Sequence, residues 1–229
     1  MSDFNEDSTA DSLEDHKKCS KDGVATESKV VRTNLDDEII KWNVADEFQH
    51  FSPEEHASLY ASIADQSAIA CLNLSGDTNI GVMIRTAALM GIGRCYILGR
   101  RKYDRRSSVG TSHHIPLERI YAMRGKHKDE FDVPTMLSYF TELQKEYKLV
   151  FIEQVPGAYN YTEISTRKAD GRLPPNTMFI FGNESVGLPK ELLNLPSADY
   201  CVIKQRGIGR SLTVSVACGM ILAEWRRDS

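Results

Sequence analysis

The chain has 229 residues, with 28 lysines and arginines against 32 acids and a formal net charge of −4. That length suits a domain of about 150 residues plus an extension, and no apolar run approaches the roughly 20 residues a membrane-crossing helix needs. The charge is uneven: residues 1–50 hold 6 Lys/Arg against 13 Asp/Glu and the remainder 22 against 19, so a slightly basic body, compatible with a polyanionic partner, follows an acidic leader.

The acidic N-terminus fits neither a signal peptide nor an Arg-rich transit peptide. Cys19, Cys71, Cys95, Cys201 and Cys218 form no C-x-x-C pair. No metal site is expected, and four of the five sit in apolar contexts that read as reduced core thiols of an intracellular, cytoplasmic protein. Residues 1–34, rich in Ser, Asp, Glu and Lys, read as a disordered acidic tail, either a solvated leader or an interaction segment. Residues 35–66 read as a helical extension. Ile39, Ile40, Trp42, Val44 and Phe48 suggest a short amphipathic helix over 36–48. Ser52-Pro-Glu-Glu55 is a capping box with proline at the first helical position, starting a helix through Leu59, Ile63 and Ala64.

The body, 67–229, opens with an apolar strand over 68–74. A helix over 79–90 turns Ile80, Met83, Ile84, Ala87 and Ala88 inward at helical spacing. A second strand over 94–98 ends at Gly99. Five cations then surround one aromatic ring: Arg100, Arg101, Lys102, Tyr103, Arg105 and Arg106. Clustered cations with an aromatic suit phosphate contact and base stacking. His113 and His114 have no partner ligand at a metal spacing and read as structural. A strand is expected near 115–121, a helix from an Asp132 cap with Pro134 inside it to Tyr147, a strand over 148–154, and a short helix near 161–167.

A strand over 177–181 enters the polar loop Gly182-Asn-Glu-Ser-Val-Gly187, with a helix expected over 188–193. Residues 200–203 read as another strand, followed by the glycine-rich loop 204–210. Ser211 then reads as the N-cap of a helix carrying Leu212, Val216, Gly219, Met220 and Ala223 at helical spacing. Strands alternating with helices indicate an α/β fold with a parallel sheet flanked by helices. No G-x-G-x-x-G follows a strand, so the ordinary dinucleotide fingerprint is absent.

Three stretches share one grammar of strand, polar loop and helix. Asn79-Ile-Gly-Val-Met-Ile-Arg-Thr-Ala87, Gly182-Asn-Glu-Ser-Val-Gly-Leu-Pro189 and Ser211-Leu-Thr-Val-Ser-Val-Ala217 resemble, in order, the three motifs of the SPOUT-class TrmH (SpoU) family of RNA ribose 2'-O-methyltransferases. The resemblance covers about 68–225. It implies the α/β-knot fold with a C-terminal trefoil knot, which pattern reading alone never shows. It also implies methyl transfer from S-adenosylmethionine to a ribose 2'-OH of tRNA or rRNA, by a homodimer paired through the knotted region. The short N-terminal extension tilts the expectation toward tRNA.

By the same resemblance Asn79, Arg85, Glu184, Ser211 and Thr213 line the reaction centre. Phe181, Gly182, Asn183, Glu184, Gly187, Leu188, Ile203, Gln205, Gly207, Ser211 and Leu212 hold the cofactor, with Leu188, Ile203 and Leu212 flanking the adenine. A guanidinium is a poor proton acceptor, so Arg85 is expected to bind phosphate and favour the developing alkoxide. Glu184 would orient Asn79 or Arg85, or favour a helix N-terminus. Thr213 departs from the family's Asn, offering one hydroxyl in place of an amide. The alternative reading is a non-catalytic RNA-binding or assembly factor that kept the fold.

Overall fold

A computed structural model describes residues 31–32, 39–40, 44–73, 78–100, 102–125, 127, 129–209 and 211–227. The expected leader 1–34, apart from 31–32, and residues 74–77 of the motif-one loop lie outside them. In chain order the strands are β1 Val31–Arg32, β2 Ile39–Ile40, β3 Ala68–Asn73, β4 Arg94–Gly99, β5 Leu117–Tyr121, β6 Met123–Arg124, β7 Glu130–Phe131, β8 Lys148–Ile152, β9 Tyr159–Asn160, β10 Thr177–Phe181 and β11 Asp199–Val202. The helices are α1 Pro53–Ile63, α2 Thr78–Leu89, α3 Val133–Leu143, α4 Ile164–Ala169 and α5 Val214–Trp225.

Seven strands form one sheet in the order β5-β4-β3-β10-β8-β11-β9, and every pairing in it is parallel. A parallel sheet needs cover on both faces, and its strands read as continuous apolar runs. All six residues of β3 and all five of β10 are buried accordingly. Alternation sorts them to two sides. Ile69, Cys71, Phe179 and Phe181 join the core under α2 and α5. Ala68, Ala70, Met178 and Ile180 join the core under α3. The strand order holds a further feature: β10 enters between β3 and β8, and β11 between β8 and β9, all laid down earlier in the chain. That late threading is consistent with the knot the resemblance implies.

Most local expectations hold. Ser52 accepts from Glu55 N–H while the Glu55 carboxylate accepts from Ser52 N–H, so the capping box forms. Asp132 caps α3 through Thr135. A short helical segment does occupy 161–169. Cys71, Cys95, Cys201 and Cys218 are buried free thiols.

Three expectations fail. The helix expected over 36–48 is not seen among the described residues: Ile39–Ile40 pair antiparallel with Val31–Arg32, as adjacent β-branched residues favour, and a 3-10 turn forms at Asp46–Phe48. The helix expected over 188–193 shrinks to the 3-10 turn Leu192–Asn194, which ends where Pro196 holds Leu195 extended. α3 ends at Leu143, one turn before Tyr147.

The N-terminal extension docks on the body. Tyr60 of α1 is buried and its hydroxyl donates to the Ile92 carbonyl at 2.6 Å. The His56 and His114 rings meet edge to face, 5.1 Å between centroids. Burial, then the neighbouring charges of His56 and His113, lower the His114 pKa to about 4. A depressed folded-state pKa means that the folded protein disfavours protonation. Stability is therefore expected to be full above about pH 6.5, the unfolded histidine value, and to decline as the pH falls toward 4. Urea unfolding across that window should show this decline, and a His114→Gln variant should flatten it.

Candidate active site

In a parallel sheet every strand ends on the same side, and ligands bind in the crevice beyond the carboxyl ends. Here the ends of β8, β10 and β11 meet the start of α5. Ile152 ends β8 and Glu153 and Gln154 follow it; Phe181 ends β10 and Gly182, Asn183, Glu184 and Gly187 follow it; Val202 ends β11 and Ile203 and Gln205 follow it; Ser211 and Leu212 lead into α5, and Val214 and Ala217 lie in its first turn. Together they wall one crevice.

The motif-two loop is closed on itself. Asn183 and Gly187 exchange backbone hydrogen bonds of 3.1 and 2.8 Å, and the Asn183 side chain accepts from Ser185 N–H. A Cβ on Gly182 would stand 2.7 Å from the Gly187 carbonyl carbon, so only glycine allows this closure.

That loop delivers Glu184 to α5. Its Oε1 accepts from Val214 N–H at 2.9 Å. The N-cap residue is Thr213, not Ser211, and the Thr213 side chain makes no capping bond. A carboxylate from another loop thus satisfies a free donor at the helix start and complements the positive end of its dipole. Of the roles open to Glu184, the structure shows this one. Asn79, at the start of α2, instead accepts at Oδ1 from Ser215 Oγ at 2.8 Å, joining motifs one and three.

Arg85 lies nearly two turns farther along α2, half-buried, with no hydrogen-bond or ion-pair partner among the described residues. It does not wall the crevice. Of the expected cofactor residues, nine do: Phe181, Gly182, Asn183, Glu184, Gly187, Ile203, Gln205, Ser211 and Leu212. Leu188 does not, being buried on the opposite face with Leu192 and Leu195. Gly207 lines a neighbouring groove with Lys204 and Arg206. Glu153 and Gln154 are the polar wall residues that sequence reading missed, beside the apolar Ile152, Val202, Val214 and Ala217, although a polar pair ending an apolar parallel strand was a visible signal.

The basic segment is built onto α2. The buried Asn73 side chain donates to the carbonyls of Arg100 and Lys102 at 2.8 and 2.9 Å. Ser107 Oγ donates to the Thr78 carbonyl at 2.8 Å. A Cβ on Gly81 would stand 2.0 Å from that Oγ, so the motif-one glycine is what lets the segment sit on the helix. Tyr103 contradicts the stacking expectation: it is buried in the core, with the Arg119 guanidinium 5.5 Å from its ring centroid. Lys102, Arg105 and Arg106 are exposed, Arg106 being paired with Asp104 at 2.9 Å; Arg100 is half-buried, and Arg101 lies outside the described residues. No group of three or more His, Cys, Asp or Glu side chains among the described residues is placed to hold a metal ion.

The capping geometry sets an expectation for α5. Glu184→Ala should lower stability by about 0.5–1 kcal/mol, since the helix start loses its acceptor. Thr213→Val should change it by less than ~0.5 kcal/mol, because that hydroxyl caps nothing. Paired urea titrations would read both.

The SpoU rRNA Methylase family model matches residues 66–223. The tRNA (guanosine(18)-2'-O)-methyltransferase TARBP1 of Mus musculus is 28% identical over 179 residues, which are 75% of this chain and 10% of that protein, so this chain spans a small part of that relative's length. Among solved structures, the AdoMet-bound rRNA methyltransferase from Sinorhizobium meliloti superposes with a TM-score of 0.55 at 23% identity, covering 73% of this chain and 59% of the other. The A. aeolicus TrmH/SpoU tRNA modifying enzyme gives a TM-score of 0.57 at 20% identity, covering 76% and 81%. These structural likenesses establish the fold. The family model spans well over half of the residues, and the chain belongs to the SpoU rRNA methylase family.

Proposed function

We propose that this protein transfers a methyl group from S-adenosylmethionine to a ribose 2'-OH of tRNA or rRNA, acting as a homodimer. One observation carries the reading: the motif-two loop, the ends of β8 and β11 and the start of α5, which carries motif three, converge on a single crevice, and motif one is hydrogen-bonded to motif three through Asn79 and Ser215.

The crevice suits the cofactor's chemistry. Phe181, Ile203, Leu212 and Val214 offer apolar surface for a base, while Glu153, Gln154 and Gln205 offer polar groups for a sugar and an amino-acid tail. When bound, S-adenosylmethionine supplies a methyl group activated on a sulfonium centre. The chain's own residues supply the rest. A guanidinium is a poor proton acceptor but a strong donor fork, and Arg85, with no hydrogen-bond or ion-pair partner among the described residues, is available to clamp a phosphate and favour an alkoxide. Ser211 and Glu184 stand at the mouth, where an acceptor ribose enters. Lys102, Arg105 and Arg106 offer a basic approach for the RNA backbone. The likeness to a tRNA methyltransferase favours tRNA over rRNA.

Exposed apolar side chains support the dimer. Val216 on α5, Val186 in the motif-two loop and Leu212 between them are large and exposed, as faces awaiting a second copy are. Sedimentation should give twice the chain mass of 25.7 kDa. The four buried free thiols suit a reducing, cytoplasmic setting.

The idle hydroxyl of Thr213 keeps one competitor, a binding factor without methyl transfer. Tritiated S-adenosylmethionine, incubated with unmodified tRNA and rRNA transcripts and followed by nucleoside analysis, separates the two. The expected result is label on a ribose of one RNA, lowered about 10²–10³-fold in Arg85→Ala. Cofactor binding with no transfer to any RNA would favour the binding factor.

A further inference from the structure

Six side chains with hydrogen-bonding groups wall the crevice: Glu153, Gln154, Asn183, Glu184, Gln205 and Ser211. Two are engaged internally, Asn183 Oδ1 by Ser185 N–H and Glu184 Oε1 by Val214 N–H. Gln154, Gln205 and Ser211 are neutral and exposed.

Glu153 differs from all of these. It is half-buried at the carboxyl end of β8, beside the centre of the sheet. Among the described residues its Oε1 accepts only the adjacent Gln154 N–H, at 2.9 Å. Its Oε2 lies 3.4 Å from the point where a Gly187 side chain would begin, so the carboxylate faces the bare glycine of motif two. It makes no ion pair among the described residues. An ionised carboxylate accepts up to about four hydrogen bonds, and partial burial makes unfilled acceptors costly. The group thus calls for donors from a ligand.

We propose that Glu153 is the residue that recognises the cofactor's ribose, accepting hydrogen bonds from its 2'- and 3'-hydroxyls. The inference rests on the reading that the crevice holds S-adenosylmethionine. Vicinal hydroxyls are a pair of donors matched to one carboxylate, and an acid beyond a parallel strand is a known solution for a nucleoside sugar. The apolar walls at Ile203 and Leu212 are left for the base. The α-ammonium of the amino-acid tail is the competing donor, and the choice of probes tells the two apart.

Calorimetric titration would measure S-adenosylhomocysteine, 5'-methylthioadenosine, which lacks the amino-acid tail, and 2'-deoxy-5'-methylthioadenosine. Wild type should bind the first two and lose about tenfold or more on removal of the 2'-hydroxyl, the worth of a hydrogen bond to a charged group. Glu153→Ala should weaken both ribonucleosides by a similar factor and shrink the deoxy penalty to about twofold or less. Glu153→Gln, which keeps shape and one acceptor, should fall between them with an unchanged melting temperature.

If Glu153→Ala weakens S-adenosylhomocysteine but leaves 5'-methylthioadenosine unchanged, the carboxylate reads the ammonium and the proposal is wrong. A deoxy penalty as large in Glu153→Ala as in wild type overturns it equally. Failure of wild type to bind any of the three overturns the cofactor reading itself, and this inference with it.

Discussion

Trp225, at the end of α5, packs its indole edge to face on Phe179 and donates from Nε1 to Asp65 at 2.9 Å. Arg226 reaches the same carboxylate at 3.3 Å and donates to the carbonyls of Met90 and Gly91, just past α2. Lys168 of α4 lies over the indole at 4.6 Å. One end of α5 is thereby fixed to the residues before β3, after α2 and along α4. Its other end is fixed by Glu184 and by the Ser215–Asn79 bond. A helix pinned at both ends presents its first turn at a defined place, which is what a site built on that turn needs. Because the anchors come from the body as well as from motif two, the crevice depends on the whole core rather than on its own loops.

The sheet explains why those loops meet at all. Parallel pairing sends each connection back beneath the sheet and gathers every carboxyl end on one edge. The insertion of β10 between β3 and β8, and of β11 between β8 and β9, brings motifs far apart in sequence to neighbouring strand ends. Such pairings close long loops before they are rewarded, so slow folding is the physical cost of that arrangement. The short β9, with its two residues at the sheet edge, limits the exposed edge that such a sheet leaves.

Much of this was legible in the residues. Continuous apolar runs at 68–73 and 177–181, a capping box at Ser52 and a cap at Asp132 each translate directly into geometry. So did the three motifs, because a polar loop between an apolar strand and a helix has few places to go in an α/β sheet. What escaped was set by contacts distant in sequence. Tyr103 sits within a run of cations, and nothing local says that its ring turns inward under Arg119. Thr213 as the cap, with Ser211 free, is decided by a glutamate some thirty positions away. Leu188 follows a glycine loop whose closure sends it to the far face. Glu153 looked like the tail of a strand, and its lack of an ion pair among the described residues is a property of the folded crevice.

The central claim is that the motif-two loop, the residues after β8 and the start of α5 form one cofactor site. Hydrogen–deuterium exchange with and without S-adenosylhomocysteine tests it most directly. Slowed exchange confined to 152–154, 181–188 and 202–217, with 100–108 unchanged, is the expected pattern. Ligand binding that protects the groove around Tyr147 and Asn176 at the opposite end of β8, and leaves those three segments unaltered, would contradict it.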